Sequence, residues 1–294
     1  MYKKDLFCGY GEYRSETPFD FSKHSSIGCG GSSIIGFFPN SVEELVSLIS
    51  RLQSEGFSYR VVGNMTNVLP TDRQTETVVV CTKDLNDVHA CKSGVYALAG
   101  CSSWKLLKKC MEYKRTGLEF LTGIPCSLGG ALFMNAGAAG IYLSEFVDSV
   151  TVLRSGKLLT LSKEECGYAY KKSVFMQNGD VIVGGKFALQ EGDEETIQER
   201  TAYFSMRRSH LPKGKSMGCV FKNPKNGFAG EYLEKCGLKG FRIGGARISE
   251  EHANFIINDG GATEAEIKML IALMKNAVFA QYNIVLEEEI RYLD

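Results

Sequence analysis

The chain lacks the common nucleotide-site and hydrolase signatures. No G-x-G-x-x-G opens a helix after a strand, so the usual dinucleotide fold is unsupported. No P-loop, G-x-S-x-G elbow or H-E-x-x-H occurs either. No apolar run approaches the roughly 20 residues that span a bilayer, and MYKKDLFCGYGEYR has no signal-peptide core. There is no C-x-x-C, and the 4 histidines are far apart, so no metal is expected. Lys+Arg and Asp+Glu balance at 34 each, which favours neither nucleic acid nor a membrane surface as partner. The 10 cysteines are scattered through 294 residues and read as reduced thiols of a cytoplasmic protein rather than a disulfide framework.

What the chain does have is α/β patterning. Ser41-Val42-Glu43-Glu44 reads as a capping box ahead of Leu45, Val46, Ile49 and Leu52, with Gly56 ending the helix. Tyr59 to Val62, Thr77 to Thr82, Val95 to Ala99 and Val181 to Leu189 read as strands, and Ser149 to Ser162 as a hairpin turning at Ser155-Gly156. Ser102 to Lys114 reads as a helix with Trp104, Leu107 and Met111 on one face. Acidic residues 191–199 suggest a domain boundary, followed by a helix running to about Arg208. A helix is expected near Glu231 to Cys236, two short strands within KGFRIGGARISEEHANFIIN, and a long helix capped by Thr263 and Glu266 with Ile267, Leu270, Ile271, Met274 and Val278 inward. Ile284 to Leu293 reads as a strand carrying three glutamates.

Two segments carry the chemistry. GLEFLTGIPCSLGGALFMNAGAAG, Gly117 to Gly140, holds one acidic residue, Glu119, and no basic one. It is too apolar for a solvated loop and too glycine-broken for a good helix, since each interior glycine costs roughly 1 kcal/mol against alanine. Its buried amides need acceptors, and a large planar or phosphorylated ligand lying on the backbone would supply them. Gly63-Asn64-Met65-Thr66-Asn67, after a strand, suits an anion nest for a diphosphate. Each also reads, by itself, as an ordinary turn or packed loop; together they suggest two backbone surfaces on one cofactor.

GNMTN, the glycine-rich stretch, YKKSVF, GCVFKNP, GLKGFRIGGARISEEHANFIIN and LEEEIRYLD occur in the order found in UDP-N-acetylenolpyruvoylglucosamine reductases, and HSSIGCGGSS resembles that family's first FAD-domain motif. The resemblance covers roughly residues 20 to 294, at the length of the shorter subtype. It implies an α+β fold: a two-lobed FAD-binding domain of the vanillyl-alcohol oxidase type (1–76 and 77–192) and a C-terminal substrate domain (193–294). It implies reduction of an enolpyruvyl UDP-sugar to UDP-N-acetylmuramate, for peptidoglycan synthesis, by a cytoplasmic monomer with FAD as cofactor and NADPH as co-substrate. FAD would be held by Gly63, Asn64, Met65, Thr66, Asn67, Gly123, Ile124, Pro125, Ser127, Gly129, Gly130, Asn135, Ala136 and Gly137. Met65 and Cys126 stand where glycines are frequent, and add bulk where backbone should approach the cofactor.

Hydride addition beside a carboxylate creates an enolate-like charge, which calls for a preorganised cation and a positioned acid. The family uses an arginine, a serine and a glutamate. Here the matching positions hold Lys171, in Tyr170-Lys171-Lys172-Ser173-Val174-Phe175; Cys219, in Gly218-Cys219-Val220-Phe221; and Glu289, with Glu287 expected on its strand face and Glu288 opposite. A thiol with the ordinary pKa of about 8.5 is mostly protonated near neutrality and can donate; Lys171 would favour thiolate and Glu289 would oppose that. Tyr170, Asn223, Arg207 and Arg208 are the candidate substrate contacts. The bland readings are surface lysine, inert cysteine, acidic edge and solvated helix end. Lys171 and Cys219 leave open a different FAD oxidoreductase on this scaffold, or a silent paralogue that binds the sugar nucleotide.

Overall fold

A computed structural model describes residues 3–294. It divides into two compact units. The first takes the chain through Thr17, then Ile35–Asn64 and Thr77–Ser209; the second takes Pro18–Ile34, Met65–Glu76 and His210–Asp294. Residues 191–199 do not separate the units: Glu194 opens the helix Glu194–Arg208, capped by Asp193, and the first unit runs on to Ser209.

In the first unit, the helix Val42–Ser54 buries Leu45, Leu48, Ile49 and Leu52. Ser41 Oγ accepts from the Glu44 N–H, but the Glu44 carboxylate reaches Asn40 N rather than Ser41 N, so the cap is not reciprocal. The helix joins parallel strands Gly36–Phe37 and Tyr59–Val62, which flank the fully buried Val78–Cys81. A second, antiparallel sheet has the order Lys157–Ser162, Val147–Arg154, Val181–Ala188, Gly94–Leu98, Val88–Cys91. Its outer hairpin turns at Ser155 and Gly156, both at positive φ (47° and 75°), the geometry of a two-residue type I′ turn.

Two expectations in this unit are corrected. The helix Ser103–Glu112 buries Ser103, Leu106 and Cys110, a stripe rotated by one residue from the expected face, and Trp104 is 71% exposed. The glycine-rich stretch does contain a helix, Leu128–Met134. Ser127 caps it, Asn135 ends it at φ 45°, and its glycines serve packing: a Cβ on Gly129 would stand 3.0 Å from the Ala99 methyl. Close approach to the sheet outweighs the poor intrinsic propensity.

In the second unit, the antiparallel sheet Lys215–Cys219, Phe255–Asn258, Ala246–Ile248, Arg242–Ile243 adds a strand to the two expected in its C-terminal part. The helix Glu264–Tyr282 has a complete Thr263–Glu266 capping box and buries Ile267, Leu270, Ile271, Met274 and Val278, the face the periodicity predicts. The terminal glutamates do not lie in a continuous strand. Asn283 leaves the helix at φ 54°, Glu288 makes an isolated bridge to Phe221, and only Arg291–Leu293 forms a ladder, parallel to Val68–Pro70.

Candidate active site

Within the first unit the start of one candidate cofactor segment, Gly63, meets the other at Ser127. Gly63 lies against Ser127 so closely that a Cβ on it would stand 2.0 Å from Ser127 Oγ and 2.9 Å from its Cβ. Around this contact, some groups fit a bound ligand and others do not. Among the described residues no protein acceptor meets the amides of Asn64, Met65 or Thr66, as a nest requires. Thr122 Oγ1 is buried without a partner beside Gly123. By contrast, the Leu128 and Gly129 amides already donate to Cys101 O and Ala99 O (2.8 and 2.7 Å), and Gly130 N donates to Ser127 Oγ. Much of the glycine-rich backbone is therefore satisfied by protein, not by ligand. Ala136 likewise donates to Ala131 and accepts from Leu143, and Gly137 pairs with Tyr142, whose ring covers it. Ile124 and Pro125 close the loop after Gly123, which turns at φ 73°.

The two bulky replacements sit in different settings. Cys126 turns into the apolar core, and burial pushes its thiol up to about 11. Met65 is 3% exposed and holds φ 50°, the left-handed conformation that favours glycine.

Asn135 does something the sequence did not show. Its Nδ2 donates to Ala169 O (2.9 Å) and its Oδ1 accepts from Ser144 N (3.0 Å). Ser173 Oγ donates to Phe133 O (2.6 Å). Both fasten the turn Ala169–Lys172, closed by reciprocal 3.1 Å backbone bonds, to the end of the glycine-bearing helix. Lys171 sits in that turn at φ 51°, the only residue of the turn at positive φ, as at the third position of a type II turn. Tyr170 is 41% exposed, edge-on to Tyr142 at 6.0 Å. Arg208 lies over Gly123 (Nε 3.3 Å from a Cβ placed there), whereas Arg207 donates to Tyr203 OH on its own helix.

In the second unit a register shift after Ser216 and a positive φ at Gly218 (74°) precede Cys219, which pairs with Phe255. Bulges of this kind re-aim side chains next to reactive centres. The backbones of Cys219 to Lys222 and Glu287 to Glu289 then run side by side: Glu289 N donates to Val220 O (2.8 Å) and Lys222 N to Glu287 O (2.9 Å). Asn67 clasps the same segment, donating from Nδ2 to Glu289 O (3.0 Å) and accepting from Arg291 N (2.9 Å). Glu287 pairs with Lys222. Glu288 meets Tyr292 OH at 2.6 Å and Lys275 at 2.9 Å; burial opposes its ionisation, but these two partners outweigh it and hold the carboxyl below its usual range. Asn223 Oδ1 accepts from Ala229 N, capping the helix Ala229–Lys235. Sequence reasoning gave no role to Asn254, whose side chain holds Phe221; a single asparagine before an apolar strand carried no signal of that contact.

The description "UDP-N-acetylenolpyruvoylglucosamine reductase, C-terminal domain" matches residues 209–293, and "FAD binding domain" matches residues 35–162. The UDP-N-acetylenolpyruvoylglucosamine reductase of Clostridium novyi (strain NT) is 36% identical over 271 residues, 91% of this chain and 88% of that protein. That of Thermotoga sp. (strain RQ2) is 37% identical, over 92% and 90%. The chain belongs to the UDP-N-acetylenolpyruvoylglucosamine reductase family. A crystal structure of the reductase from Thermus caldophilus superposes with a TM-score of 0.83 at 30% identity, covering 96% of this chain and 100% of that one. The expected fold class, α+β with an FAD-binding domain and a reductase-type C-terminal domain, is therefore the one found. Among the described residues no helix is long and apolar enough to cross a membrane.

The Gly63–Ser127 contact gives a direct test of the candidate cofactor surface in this reductase-family chain. Gly63→Ala must displace Ser127 from its cap on Gly130, a loss of about 1 kcal/mol. The variant is expected to purify folded but with a lower flavin-to-protein absorbance ratio. A parental ratio would exclude Gly63 from the cofactor surface.

Proposed function

We propose that this protein reduces the enolpyruvyl group of UDP-N-acetylglucosamine enolpyruvate to give UDP-N-acetylmuramate, with FAD as cofactor and NADPH as the electron source, in peptidoglycan precursor synthesis. The observation that carries the reading is the side-by-side pairing of Cys219–Lys222 with Glu287–Glu289, gripped by Asn67 of the cofactor loop, in a chain of this family. The amides of Asn64, Met65 and Thr66, with Gly63, Gly123, Ser127 and the Thr122 hydroxyl, are the groups that would hold FAD. Once reduced by NADPH, bound FAD would supply the hydride that ends on the vinyl CH2 carbon of the substrate.

The chain's own residues do the rest. As the C–H bond forms, the π pair of the vinyl group moves onto the neighbouring carbon and into its carboxylate. The Lys171 ammonium stabilises that charge. The Cys219 thiol delivers its proton to the same carbon, and the resulting thiolate is reprotonated from solvent. Glu289 is the third proposed catalytic residue, its backbone tied to Val220 next to the thiol. Tyr170, Asn223, Arg207 and Arg208 are the proposed substrate contacts, Arg207 with the least structural support because Tyr203 already occupies it. The same proposal includes a cytoplasmic, monomeric enzyme; none of the nine described cysteines is in a disulfide, and the Cys8 side chain lies outside what the structure describes.

One assay decides the matter. Purified protein is expected to be yellow and to oxidise NADPH only when the enolpyruvyl sugar nucleotide is added. Oxidation by dioxygen alone would favour another flavin oxidoreductase activity, and colourless protein that still binds the nucleotide would favour a binding role.

A further inference from the structure

Beyond Cys219 the edge strand has left its sheet, yet its backbone does not fray. The Val220 N–H donates to Asn254 O (2.8 Å). The Phe221 N–H donates to Asn254 Oδ1 (2.9 Å), and Asn254 Nδ2 donates to Phe221 O (2.8 Å). The Asn254 side chain thus presents to Phe221 what a neighbouring peptide group would present, one donor and one acceptor in a plane. It is 2% exposed, and its own N–H is tied to His252 Nδ1 (3.2 Å). Val220 is the link onward, because its carbonyl accepts the Glu289 N–H (2.8 Å). One buried side-chain amide therefore holds Phe221, two residues past the thiol, and through the Val220–Phe221 peptide the backbone of Glu289.

We propose that Asn254 is a positioning residue for proton delivery: it touches neither substrate nor cofactor, and fixes where the segment carrying Cys219 lies relative to the backbone of Glu289. The proposal rests on the reading of Cys219 as proton donor. Aspartate has the acceptor but lacks the amide donor, glutamine is one methylene too long, and alanine supplies neither group. A displacement of about 1 Å at a reacting group can slow the step roughly 10²-fold.

The test uses the full-length, FAD-loaded protein. In Asn254→Ala, flavin content and the rate of flavin reduction by NADPH are expected to match the parent. Reoxidation by the sugar nucleotide should slow about 10²-fold at unchanged substrate affinity, with a larger solvent deuterium isotope effect. Amide exchange followed by mass spectrometry should rise in both the 217–223 and 286–292 peptides. Asn254→Asp, which keeps the acceptor for the Phe221 N–H, should fall between parent and alanine variant. Parental reoxidation, or unchanged exchange in 286–292, would overturn the proposal. Loss of flavin in both variants would overturn it as well, since Asn254 would then hold the fold rather than the thiol. Cys219→Ala, run alongside, separates the two claims: parental reoxidation there removes the donor reading itself, whereas a slow Cys219→Ala beside a parental Asn254→Ala removes only the positioning role.

Discussion

Replacing Cys219 with alanine will leave flavin reduction by NADPH within about twofold of the parent and slow reoxidation by the enolpyruvyl sugar nucleotide by about 10²- to 10⁴-fold, the usual worth of a positioned general acid. The asymmetry follows from the chemistry. Reduction of the cofactor needs no proton on substrate carbon, whereas reduction of the substrate ends only when its charged carbon is protonated. Stopped-flow absorbance at the flavin band reads both halves separately. Cys219→Ser should recover most of the lost rate, because a hydroxyl on the same backbone donates along a similar path. The backbone is defined independently of the side chain: Gly218 at φ 74° sets the bulge, and the bonds at Val220 and Phe221 do not involve the sulfur. Equal loss in both half-reactions would remove Cys219 from the donor role.

At Lys171, activity and stability are expected to move in opposite directions. The residue holds φ 51° in a turn fastened by Asn135 and Ser173. A left-handed conformation costs a non-glycine residue roughly 1–2 kcal/mol, and strain of this kind gathers at functional sites. Lys171→Gly relieves it and should melt at or above the parent temperature. Lys171→Ala retains it and should melt near the parent temperature, below the glycine variant. Both lose the cation and should turn over about 10²- to 10³-fold more slowly. Lys171→Arg restores the charge with the guanidinium the family pattern leads one to expect, and should keep most of the rate. Thermal denaturation and steady-state turnover on the three variants are sufficient. If Lys171→Gly is both stable and fully active, the residue is a turn former and nothing more.

The parts of this fold that were legible in the sequence depend on local rules. Thr263 and Glu266 cap a helix whose apolar period names its buried face, and Ser155-Gly156 has the residues a two-residue hairpin demands. The parts that were not legible depend on long-range contact. Gly129 looks like a helix breaker until Ala99 is seen against it. Trp104 looks like a core residue, but the stripe that meets the core is Ser103, Leu106 and Cys110. Three successive glutamates suggest a strand, yet each has a different setting: Glu287 on Lys222, Glu288 on Lys275 and Tyr292, and Glu289 tied by its backbone to Val220 and Asn67. At the site, motif order pointed to Asn135 and Asn67 as cofactor residues. Only coordinates reveal that Asn135 anchors the lysine turn and Asn67 grips the terminal segment, because an asparagine's partners are set by the fold and not by its neighbours in sequence.

The parallel pairing of Arg291–Leu293 with Val68–Pro70 has a temporal consequence. Ile34 hands the chain to the first unit at Ile35, and Glu76 does so again at Thr77. During translation, Pro18–Ile34 and Met65–Glu76 can pair with each other through Ser32–Ser33 and Gln74–Thr75, but Val68–Pro70 must wait while Thr77–Ser209 is made and collapses on its own core. Val68–Pro70 finds its ladder partner only once the ribosome has delivered Arg291–Leu293. The order of synthesis is not the order of assembly, and a fragment starting at His210 would emerge with its final strand facing water.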